Sequence, residues 1–352
     1  MKIPSELIEL RPKRILILQL RQIGDVLLCT PAIRALRKKY PSARIDMLVE
    51  NGPAGVLAGN PHISELILRH PGRGPLESVR NISDVRKNRY DLVIDYLQNP
   101  RTALISLLSG AGKTLSFDDR GRGRFYSHTA SPSGEYSAEQ KLRLLELLGI
   151  HDDNLRPVFE VSDRARSKID GWIEQNGLRK GRYIVIDPTH RRATRLWKHF
   201  GKLADAIFKE HGARCVFLWG PGEESYVDDI LSGCGADHIK APPPSFDNFG
   251  AILQSSAALV GTCSAPAHIA AALGVPSLQV IGSSRPENWV LPEPIHRAVM
   301  LGLECQPCAS NDCARGDIEC LEALKPEAVH IKLLELAREA APELENLLES
   351  GS

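Results

Sequence analysis

A glycine-aspartate pair follows the first apolar run of the chain and could carry acid-base chemistry. The run is RILILQL, residues 14–20, and the loop RQIGD brings Gly24 and Asp25 directly after it. Glycine permits a tight turn, and the carboxylate precedes a segment whose apolar spacing is helical. Such a carboxylate can accept the proton of an attacking hydroxyl, which contributes roughly 10²- to 10⁴-fold in rate. It can equally cap the helix, which is worth about 1 kcal/mol, so the residues alone leave both interpretations open.

Four cysteines near the C-terminus form a second group with chemical potential. Cys305, Cys308, Cys313 and Cys320 are separated by two, four and six residues. Four thiolates at such spacing can surround a tetrahedral Zn²⁺ or hold an iron-sulfur cluster. Metal-free thiols and reversible disulfides explain the same spacing. We predict no catalytic metal, and a structural zinc site at these cysteines remains an alternative to metal-free thiols.

Arginines are concentrated in one part of the N-terminal half, and one more lies in the loop that holds Asp25. Guanidinium groups bind phosphates and carboxylates through paired hydrogen bonds. If these side chains converge they form a site for an anionic acceptor, whereas scattered surface arginines are the alternative. The predicted acceptor-binding residues are Arg21, Gln22, Gly24, Arg101, Arg120, Arg122 and Arg124.

The segments that must position these residues alternate between strands and helices. Residues 14–20 and 183–187 each open such a series with an apolar run, a polar loop and a helical segment. Apolar runs without strict alternation are typical of parallel strands covered on both faces. We therefore predict an α/β fold with two Rossmann-like, doubly wound parallel-sheet domains. The other predicted strands are 45–50, 66–69, 91–97, 214–220, 257–262 and 276–282.

A chain of 352 residues is longer than one hydrophobic core usually supports. We place the boundary in the polar stretch 151–163, which gives an N-terminal acceptor domain, 1–156, and a C-terminal donor domain, 157–352. Ligands of such sheets bind at the carboxyl ends of the strands, so we predict a site in a cleft between the domains. The tail from Pro326 is predicted to be an amphipathic helix broken at Pro342, and a candidate to pack back on the N-terminal domain.

Composition and patterning exclude several classes of protein. The formal net charge of +1 provides no general field for gathering nucleic acid. The first residues, MKIPSELIELRPKR, lack the basic start and apolar core of a signal peptide. The longest apolar runs are far shorter than the roughly 20 residues that span a bilayer. We predict a cytoplasmic protein that binds no nucleic acid and touches a membrane only at its surface.

The N-terminal segment resembles a known family. The stretch ILQLRQIGDVLLCTPAIRALRKKYP, residues 17–41, closely resembles the first βα unit of the bacterial lipopolysaccharide heptosyltransferases of glycosyltransferase family 9. Asp95, Leu97 and Gln98 resemble the same family's strand end. The resemblance implies a GT-B architecture, with two Rossmann-like domains facing across a cleft. It also implies that Asp25 is the general base of an inverting, metal-independent transfer.

Three segments of the second half resemble the family's donor site. THRRATRLWKHFGKLADAI has arginine where the family carries the lysine of a Lys-x-Trp pattern, WGPGEE resembles its ribose-binding loop, and LVGTCSAPAHIAAALG resembles its closing signature. The resemblance implies that cations and helix amides hold the diphosphate and that a glutamate holds the ribose. A solvated basic loop, a helix-capping acid and a core histidine are the respective alternatives. The implied donor-binding residues are Thr189, Arg192, Arg195, Glu223, Cys263, Ser264, Ala265 and His268.

The closing signature departs from the family at two positions. Cys263 stands where the family has Asp, and Ala265 stands where it has Gly. The change removes a carboxylate from beside the donor, which implies either a shifted donor preference or a lower activity. Cys263 as a nucleophile is a further alternative, although the resemblance implies no retaining chemistry.

The resemblance implies an inverting glycosyltransferase that moves a heptose or related sugar from an ADP-sugar to a lipopolysaccharide core-type acceptor. Its partners would be the nucleotide sugar and an anionic glycolipid at the inner face of the inner membrane, and it would need no cofactor. Two other functions remain open. One is a GT-B-like enzyme of the hexosamine epimerase type, and the other is a catalytically weakened scaffold that binds a sugar nucleotide.

Overall fold

The computed structural model describes residues 4–72, 74–118 and 121–349. The chain separates into two compact units, Met1–Phe159 and Glu160–Ser352. Each unit contains one six-stranded sheet in which every neighbouring pair of strands is parallel. The prediction of two doubly wound parallel sheets is therefore confirmed.

The first unit has the strand order β3-β2-β1-β4-β5-β6. Its strands are β1 (Arg14–Leu18), β2 (Arg44–Val49), β3 (Glu65–Leu68), β4 (Leu92–Asp95), β5 (Lys113–Phe117) and β6 (His128–Ala130). Its helices are α1 (Ser5–Ile8), α2 (Ile23–Leu27), α3 (Thr30–Lys39), α4 (Asn51–Ala54), α5 (Pro75–Lys87), α6 (Pro100–Leu108) and α7 (Ser137–Leu144). Short 3₁₀ helices are Gly55–Leu57, Gly123–Phe125 and Leu145–Leu148.

The central strands of the first unit are apolar because helices cover both faces of the sheet. Residues 15–18 of β1 and 92–94 of β4 are fully buried. The chain builds β1 to β3 in one direction and then crosses to β4 on the other side of β1, so the direction of winding changes between β1 and β4. Ligands of doubly wound sheets bind at the carboxyl ends of the strands beside this switch point. The loops after β1 and β4 therefore occupy the binding position of the first unit.

The second unit repeats this plan with the order β12-β11-β10-β7-β8-β9. Its strands are β7 (Tyr183–Asp187), β8 (Arg214–Phe217), β9 (Ile239–Lys240), β10 (Ala258–Thr262), β11 (Ser277–Val280) and β12 (His296–Val299). Its helices are α8 (Asp163–Gln175), α9 (Phe200–His211), α10 (Glu224–Ser232), α11 (Phe246–Gln254), α12 (Ala265–Leu273), α13 (Pro286–Trp289), α14 (Glu319–Glu322), α15 (Pro326–Ala340) and α16 (Pro342–Glu349). The switch point lies between β7 and β10, and a 3₁₀ turn, Ala193–Arg195, lies in the loop after β7.

The C-terminal tail forms two helices on the second unit. Pro342 begins α16 where α15 ends, as its missing N–H requires. Both helices pack against α9, and α15 also contacts β11 and β12. The packing of this tail on the N-terminal domain stays a prediction. Across residues 4–72, 74–118 and 121–349, the structure contains no helix long and apolar enough to cross a bilayer.

Candidate active site

Asp25 lies in the first turn of α2, at the carboxyl end of β1. The N-cap residue of this helix is Gln22, and Asp25 is half-buried three positions further on. The backbone places the carboxylate where the positive end of the helix dipole favours a negative charge. Lys141, which was not predicted as a site residue, is buried, and its ammonium group donates to the Ser137 hydroxyl at 2.7 Å. Lys141 and Asp25 both lie near enough to Cys29 to affect the pKa of its thiol, which burial raises to about 12.

Asp95, at the end of β4, holds together the neighbouring loops. Its Oδ1 accepts the backbone N–H groups of Leu97 at 3.0 Å and Gln98 at 2.9 Å, and its Oδ2 accepts the Tyr126 hydroxyl at 2.7 Å. Burial raises the pKa of Asp95. Gln98, at a φ of 51°, turns the chain and donates from Nε2 to the Phe117 carbonyl. The resemblance at this strand end therefore concerns residues that shape the loops after β4 and β5.

The predicted acceptor-binding arginines that the structure describes lie in the segments that follow β1, β4 and β5, at the same edge of the first sheet. Arg21 is exposed in the loop after β1, and Arg101 lies in the first turn of α6. The 3₁₀ helix Gly123–Phe125 packs on α6 and brings Arg122 and Arg124 beside that helix. Arg122 donates to the Gln98 carbonyl at 3.2 Å, and the Arg124 guanidinium lies 5.2 Å from the Phe125 ring centroid. Arg120 lies outside the described residues.

Three loops of the second unit meet around its switch point. The Thr262 hydroxyl, at the end of β10, donates to the Thr189 carbonyl at 2.9 Å. The N–H of Ser283, after β11, donates to the Thr194 carbonyl at 3.0 Å. A Cβ atom added at Gly282 would overlap that same carbonyl oxygen, so the close approach depends on glycine. These bonds fix the loop after β7 against the loops after β10 and β11.

The carboxylate of Glu223 binds Thr189, another of the predicted donor-binding residues. Glu223 accepts the Thr189 hydroxyl at 2.7 Å and the Gly220 N–H at 2.8 Å, both through Oε2. Glu223 is the N-cap residue of α10, but among the described residues its side chain makes no cap hydrogen bond. The helix-capping interpretation of Glu223 is therefore wrong, because its carboxylate points back toward the loop after β7.

Asp187, the last residue of β7, is a functional candidate that the sequence analysis missed. It is 3% exposed and accepts a hydrogen bond from the Ser264 hydroxyl. Burial raises its pKa to about 7, and the nearby charge of Glu223 acts in the same direction. A Cβ atom at Gly261 would lie 2.7 Å from the Cβ of Asp187. The signal was present in the sequence, because an acid ends an otherwise apolar strand in both YIVID and LVID.

Replacement of Asp187 by asparagine is expected to flatten the pH dependence of the free energy of unfolding. The pKa of Asp187 is raised in the folded protein from an ordinary 3.8 to about 7. Its contribution to the free energy of unfolding is therefore fully present below about pH 4. Between about pH 4 and pH 7 it falls by about 1.4 kcal/mol per pH unit, and above about pH 7 it is lost. Urea unfolding followed by circular dichroism between pH 4 and 8 measures this slope. The exposed Asp229→Asn is the control, and equal slopes in Asp187→Asn and wild type would contradict the assignment.

Arg195 is a half-buried cation among the predicted donor-binding residues. In the part of the chain that the structure describes, its Nε is buried without a hydrogen-bond partner. Burial lowers the pKa of Arg195, and Cys263, Arg192 and Cys308 lie near enough to contribute. A buried donor without an acceptor is costly to the folded state. The arrangement therefore favours an anionic ligand at this position.

The neighbours of Arg195 in the loop after β7 do not neutralise its charge, because they are a neutral histidine and two further arginines. Burial, followed by Arg195 and Arg192, lowers the pKa of His190 to about 4, so the imidazole is neutral at pH 7. His190 accepts the Arg192 N–H through Nδ1 at 3.0 Å. Arg191 and Arg192 are exposed at the surface of the same loop. The loop after β7 thus combines one half-buried and two exposed guanidinium groups.

The Cys263 thiol is poorly suited to nucleophilic attack. Burial raises its pKa to about 11, against the opposing effects of Arg195 and a hydrogen bond with Ser284. The reactive form of cysteine is the thiolate, which is scarce at neutral pH for such a group. The structure therefore argues against the nucleophile interpretation.

The start of α12 follows Cys263 and presents backbone amides. Ser264 is the N-cap residue, and its hydroxyl is directed to Asp187. Ala265 begins the helix and Pro266 follows, a placement that is typical of first-turn proline. His268, one turn in, is 3% exposed with its ring centroid 6.2 Å from that of Trp289. Its role toward the donor stays a prediction beside the core interpretation.

The cysteine-rich segment packs directly on the donor loops. Gln306 donates from Nε2 to the carbonyls of Ile281 at 2.8 Å and Gly282 at 3.0 Å. The N–H of Ala309 donates to the Ser283 carbonyl at 2.7 Å. This segment therefore supports the loop after β11, and that loop is hydrogen-bonded to Thr194 through the N–H of Ser283.

The four clustered cysteines are free thiols, and their sulfur atoms lie too far apart to form a tetrahedral metal site. Cys305 and Cys308 are exposed, and Cys313 and Cys320 are half-buried. Backbone N–H groups lower the pKa of Cys313, whereas burial raises that of Cys320. Within the described chain, no three of these sulfurs lie within 4.8 Å of one another. A structural zinc at these positions stays a prediction.

Comparison with known proteins identifies the family. The family model described as "Glycosyltransferase family 9 (heptosyltransferase)" matches residues 79–318. The chain belongs to glycosyltransferase family 9. Lipopolysaccharide heptosyltransferase 3 of Escherichia coli K12 is 31% identical over 286 residues, which is 77% of this chain and 83% of the relative. The chain is therefore a glycosyltransferase, and the family resemblance found in its sequence is confirmed.

Two solved structures support the fold of this family 9 glycosyltransferase. A family 9 glycosyltransferase from Veillonella parvula has a TM-score of 0.80 at 23% identity, covering 96% of this chain and 97% of its own. The E. coli heptosyltransferase WaaC, solved with ADP, has a TM-score of 0.68 at 20% identity, covering 93% and 99%. Identities this low establish the fold class only, and they confirm the GT-B-like α/β fold. The comparisons favour the transferase over the epimerase and scaffold alternatives.

Proposed function

We propose that this glycosyltransferase moves a heptose from an ADP-heptose donor to a lipopolysaccharide core-type acceptor. The observation that carries the proposal is the half-buried Arg195, whose Nε is without an acceptor in the described chain and which lies beside the loop of Cys263. A cation held there can bind a diphosphate and stabilise the charge that develops as the sugar departs. WaaC has been solved with ADP and with ADP-2-deoxy-2-fluoro heptose, which supports an adenosine diphosphate donor here.

The donor would occupy the carboxyl edge of the second sheet. Arg195 and Arg192 would contact the diphosphate, together with the amides that follow Ser264 and Ala265 at the start of α12. Oε2 of Glu223 already accepts hydrogen bonds from Thr189 and Gly220. We assign Oε1 of Glu223 to the ribose hydroxyls. Cys263 would lie where the family's carboxylate stands, so the donor would meet a neutral thiol in place of a negative charge.

The acceptor would bind the first unit, with Asp25 as the general base. Asp25 would take the proton from the acceptor hydroxyl while the hydroxyl oxygen forms a bond to the anomeric carbon. The bond from that carbon to the phosphate oxygen breaks at the same time, and ADP leaves with the bonding electrons. Attack opposite the leaving group inverts the configuration of the sugar carbon. The protein's cations supply the charge stabilisation in this scheme, so it requires no metal.

The arginines on the loops after β1, β4 and β5 would recognise the anionic part of the acceptor. Guanidinium groups form paired hydrogen bonds with phosphates and carboxylates. A lipopolysaccharide precursor carries its anionic groups on a lipid, so this edge of the first unit would work at the cytoplasmic membrane surface. Zinc at Cys305, Cys308, Cys313 and Cys320 would stiffen the support of the donor loops and take no part in the transfer.

The melting temperature in the presence of nucleotides tests the donor assignment. A ligand that binds only the folded protein at one hundred times its Kd stabilises it by about 2.7 kcal/mol, or about 5 to 10 °C for a unit of this size. We expect ADP to give such a shift and UDP to give none. ADP release from ADP-heptose should then depend on added core acceptor. A shift with UDP alone would reject the proposed donor.

A further inference from the structure

Two imidazoles and a carboxylate come together where α9 meets α15, away from the donor loops. Nε2 of His211 lies 3.1 Å from Nε2 of His330, and the two rings are nearly perpendicular at 84°. Oε2 of Glu210 lies 3.9 Å from the His211 nitrogen and 3.8 Å from Nδ1 of His330. One ligand atom from each of these residues lies within 4.8 Å of the others. We call them the His-His-Glu cluster.

The hydrogen bond to α16 decides which nitrogen of His211 carries the proton. Nδ1 of His211 lies 2.6 Å from the carbonyl oxygen of Leu348. A carbonyl can only accept, so Nδ1 must carry hydrogen and a neutral His211 presents the lone pair of Nε2 to His330. Metal-binding histidines show this arrangement, in which the second ring nitrogen donates to a carbonyl and fixes the ring.

A neutral His330 carries one ring proton, so it cannot turn a proton toward both His211 and Glu210. If its Nε2 carries the proton and donates to His211, the lone pair of Nδ1 faces the Glu210 carboxylate. If Nδ1 carries the proton, the lone pair of Nε2 faces the lone pair of His211 at 3.1 Å. In this second tautomer, a cation bound by the two facing lone pairs would remove their repulsion.

We propose that the His-His-Glu cluster binds a divalent transition metal of the zinc class. Imidazole and carboxylate ligands suit zinc, and bonds of about 2.0–2.1 Å in a tetrahedral site separate two nitrogen ligands by about 3.3 Å. The observed 3.1 Å is close to that separation. The side chain of Glu210 is 55% exposed, whereas those of His211 and His330 are 13% and 6% exposed. The carboxylate can therefore close on an ion that both imidazoles already face.

The position of the cluster gives the metal a structural role. His211 ends α9 shortly before β8 begins at Arg214, which places it at the sheet edge opposite the carboxyl ends. The three ligands and the Leu348 carbonyl join α9, α15 and α16. A bound ion would thus tie the two C-terminal helices to α9 within the second unit, without touching the donor loops.

Zinc binding by full-length variants tests the proposal. Equilibrium dialysis against Zn²⁺ at pH 7.5, followed by metal analysis, counts the bound ions in wild type, Glu210→Gln and His330→Gln. We expect each variant to lose one equivalent or to bind it at least tenfold more weakly, since each lacks a ligand. Zn²⁺ in hundredfold excess over its Kd should raise the wild-type melting temperature by about 5 °C more than that of either variant. Glu343→Gln, an exposed change on α16, should behave as wild type.

Other metal ligands make the difference between variants the decisive quantity. Asp205, Cys234 and His238 form a second group within 4.8 Å, and the clustered cysteines can also bind zinc, but none of these residues changes in the variants. Glu210 is exposed, so Glu210→Gln should fold even if His330→Gln does not. Wild-type stoichiometry, affinity and thermal shift in Glu210→Gln and in any folded His330 variant would overturn the proposal.

Discussion

Replacement of Asp25 by asparagine is expected to lower kcat for sugar transfer by roughly 10²- to 10⁴-fold, because a general base contributes about that factor. Asparagine has nearly the same shape as aspartate and fits the first turn of α2, where Asp25 lies. It cannot accept the proton of the acceptor hydroxyl. The proposed donor residues belong to the second unit, so the affinity for ADP should stay at the wild-type value. Initial rates of ADP release from ADP-heptose with a saturating core acceptor measure the effect.

The pH profile distinguishes loss of the base from loss of structure. Wild-type kcat should fall at acid pH as the base becomes protonated, and this acidic limb should disappear in Asp25→Asn. Asp153→Asn is a matched change at an exposed aspartate of the same unit, and it should keep wild-type kcat. Transfer by Asp25→Asn at the wild-type rate, with the acidic limb intact, would show that another group takes the proton.

Replacement of Arg195 by methionine is expected to lower kcat/KM by roughly 10²- to 10³-fold, which is typical for loss of one group that stabilises developing charge. ADP affinity should fall as well, because the guanidinium would contact the diphosphate in both donor and product. Methionine keeps an unbranched side chain of similar reach. In the described chain the Nε of Arg195 is buried without a hydrogen-bond partner, so its removal leaves no partner unpaired. We therefore expect the melting temperature without ligand to stay level or rise.

The contrast between activity and stability makes the Arg195 prediction specific. Titration calorimetry with ADP and thermal unfolding without ligand should be measured on the same preparations. Arg195→Lys keeps the charge but not the planar fork and should recover part of the lost affinity. Arg179→Met changes an exposed arginine of the same unit and should have no effect. Wild-type ADP affinity in Arg195→Met would remove Arg195 from the donor site.

Eight strands of the described chain were predicted from the sequence, and seven of them, β1, β2, β4, β7, β8, β10 and β11, are largely buried. Their residues are mainly apolar because helices cover both faces of the sheets, whereas the eighth predicted strand, β3, is a partly exposed edge strand. The strands β5, β6, β9 and β12 were not predicted from the sequence. β6, β9 and β12 are short edge strands with polar residues, and β5 reads KTLSF. Their pairing comes from neighbouring strands, and a short mixed sequence carries little of that information.

Local sequence also determined where individual site residues would lie on their elements. Gly24 and Asp25 follow a strand and open a helix, and the stretch from Cys263 to Pro266 opens α12. Each of these placements depends on neighbours within a few residues, through turn formation, helix periodicity and first-turn proline. The family resemblance could be recognised from the same local motifs, because each of them is a short stretch of consecutive residues.

Only the tertiary structure decided which distant groups meet and in what charge state. Asp187 meets Ser264 across the switch point, Glu223 meets Thr189, and His211 meets His330. These contacts depend on strand order and helix packing, which join segments far apart in the chain. Burial then set the protonation of Asp187 and Cys263, because desolvation disfavours the charged form and varies with the packing around each group. The type of a residue determines which reactions its side chain can take part in. The packing around that side chain determines its protonation state and therefore which of these reactions is possible.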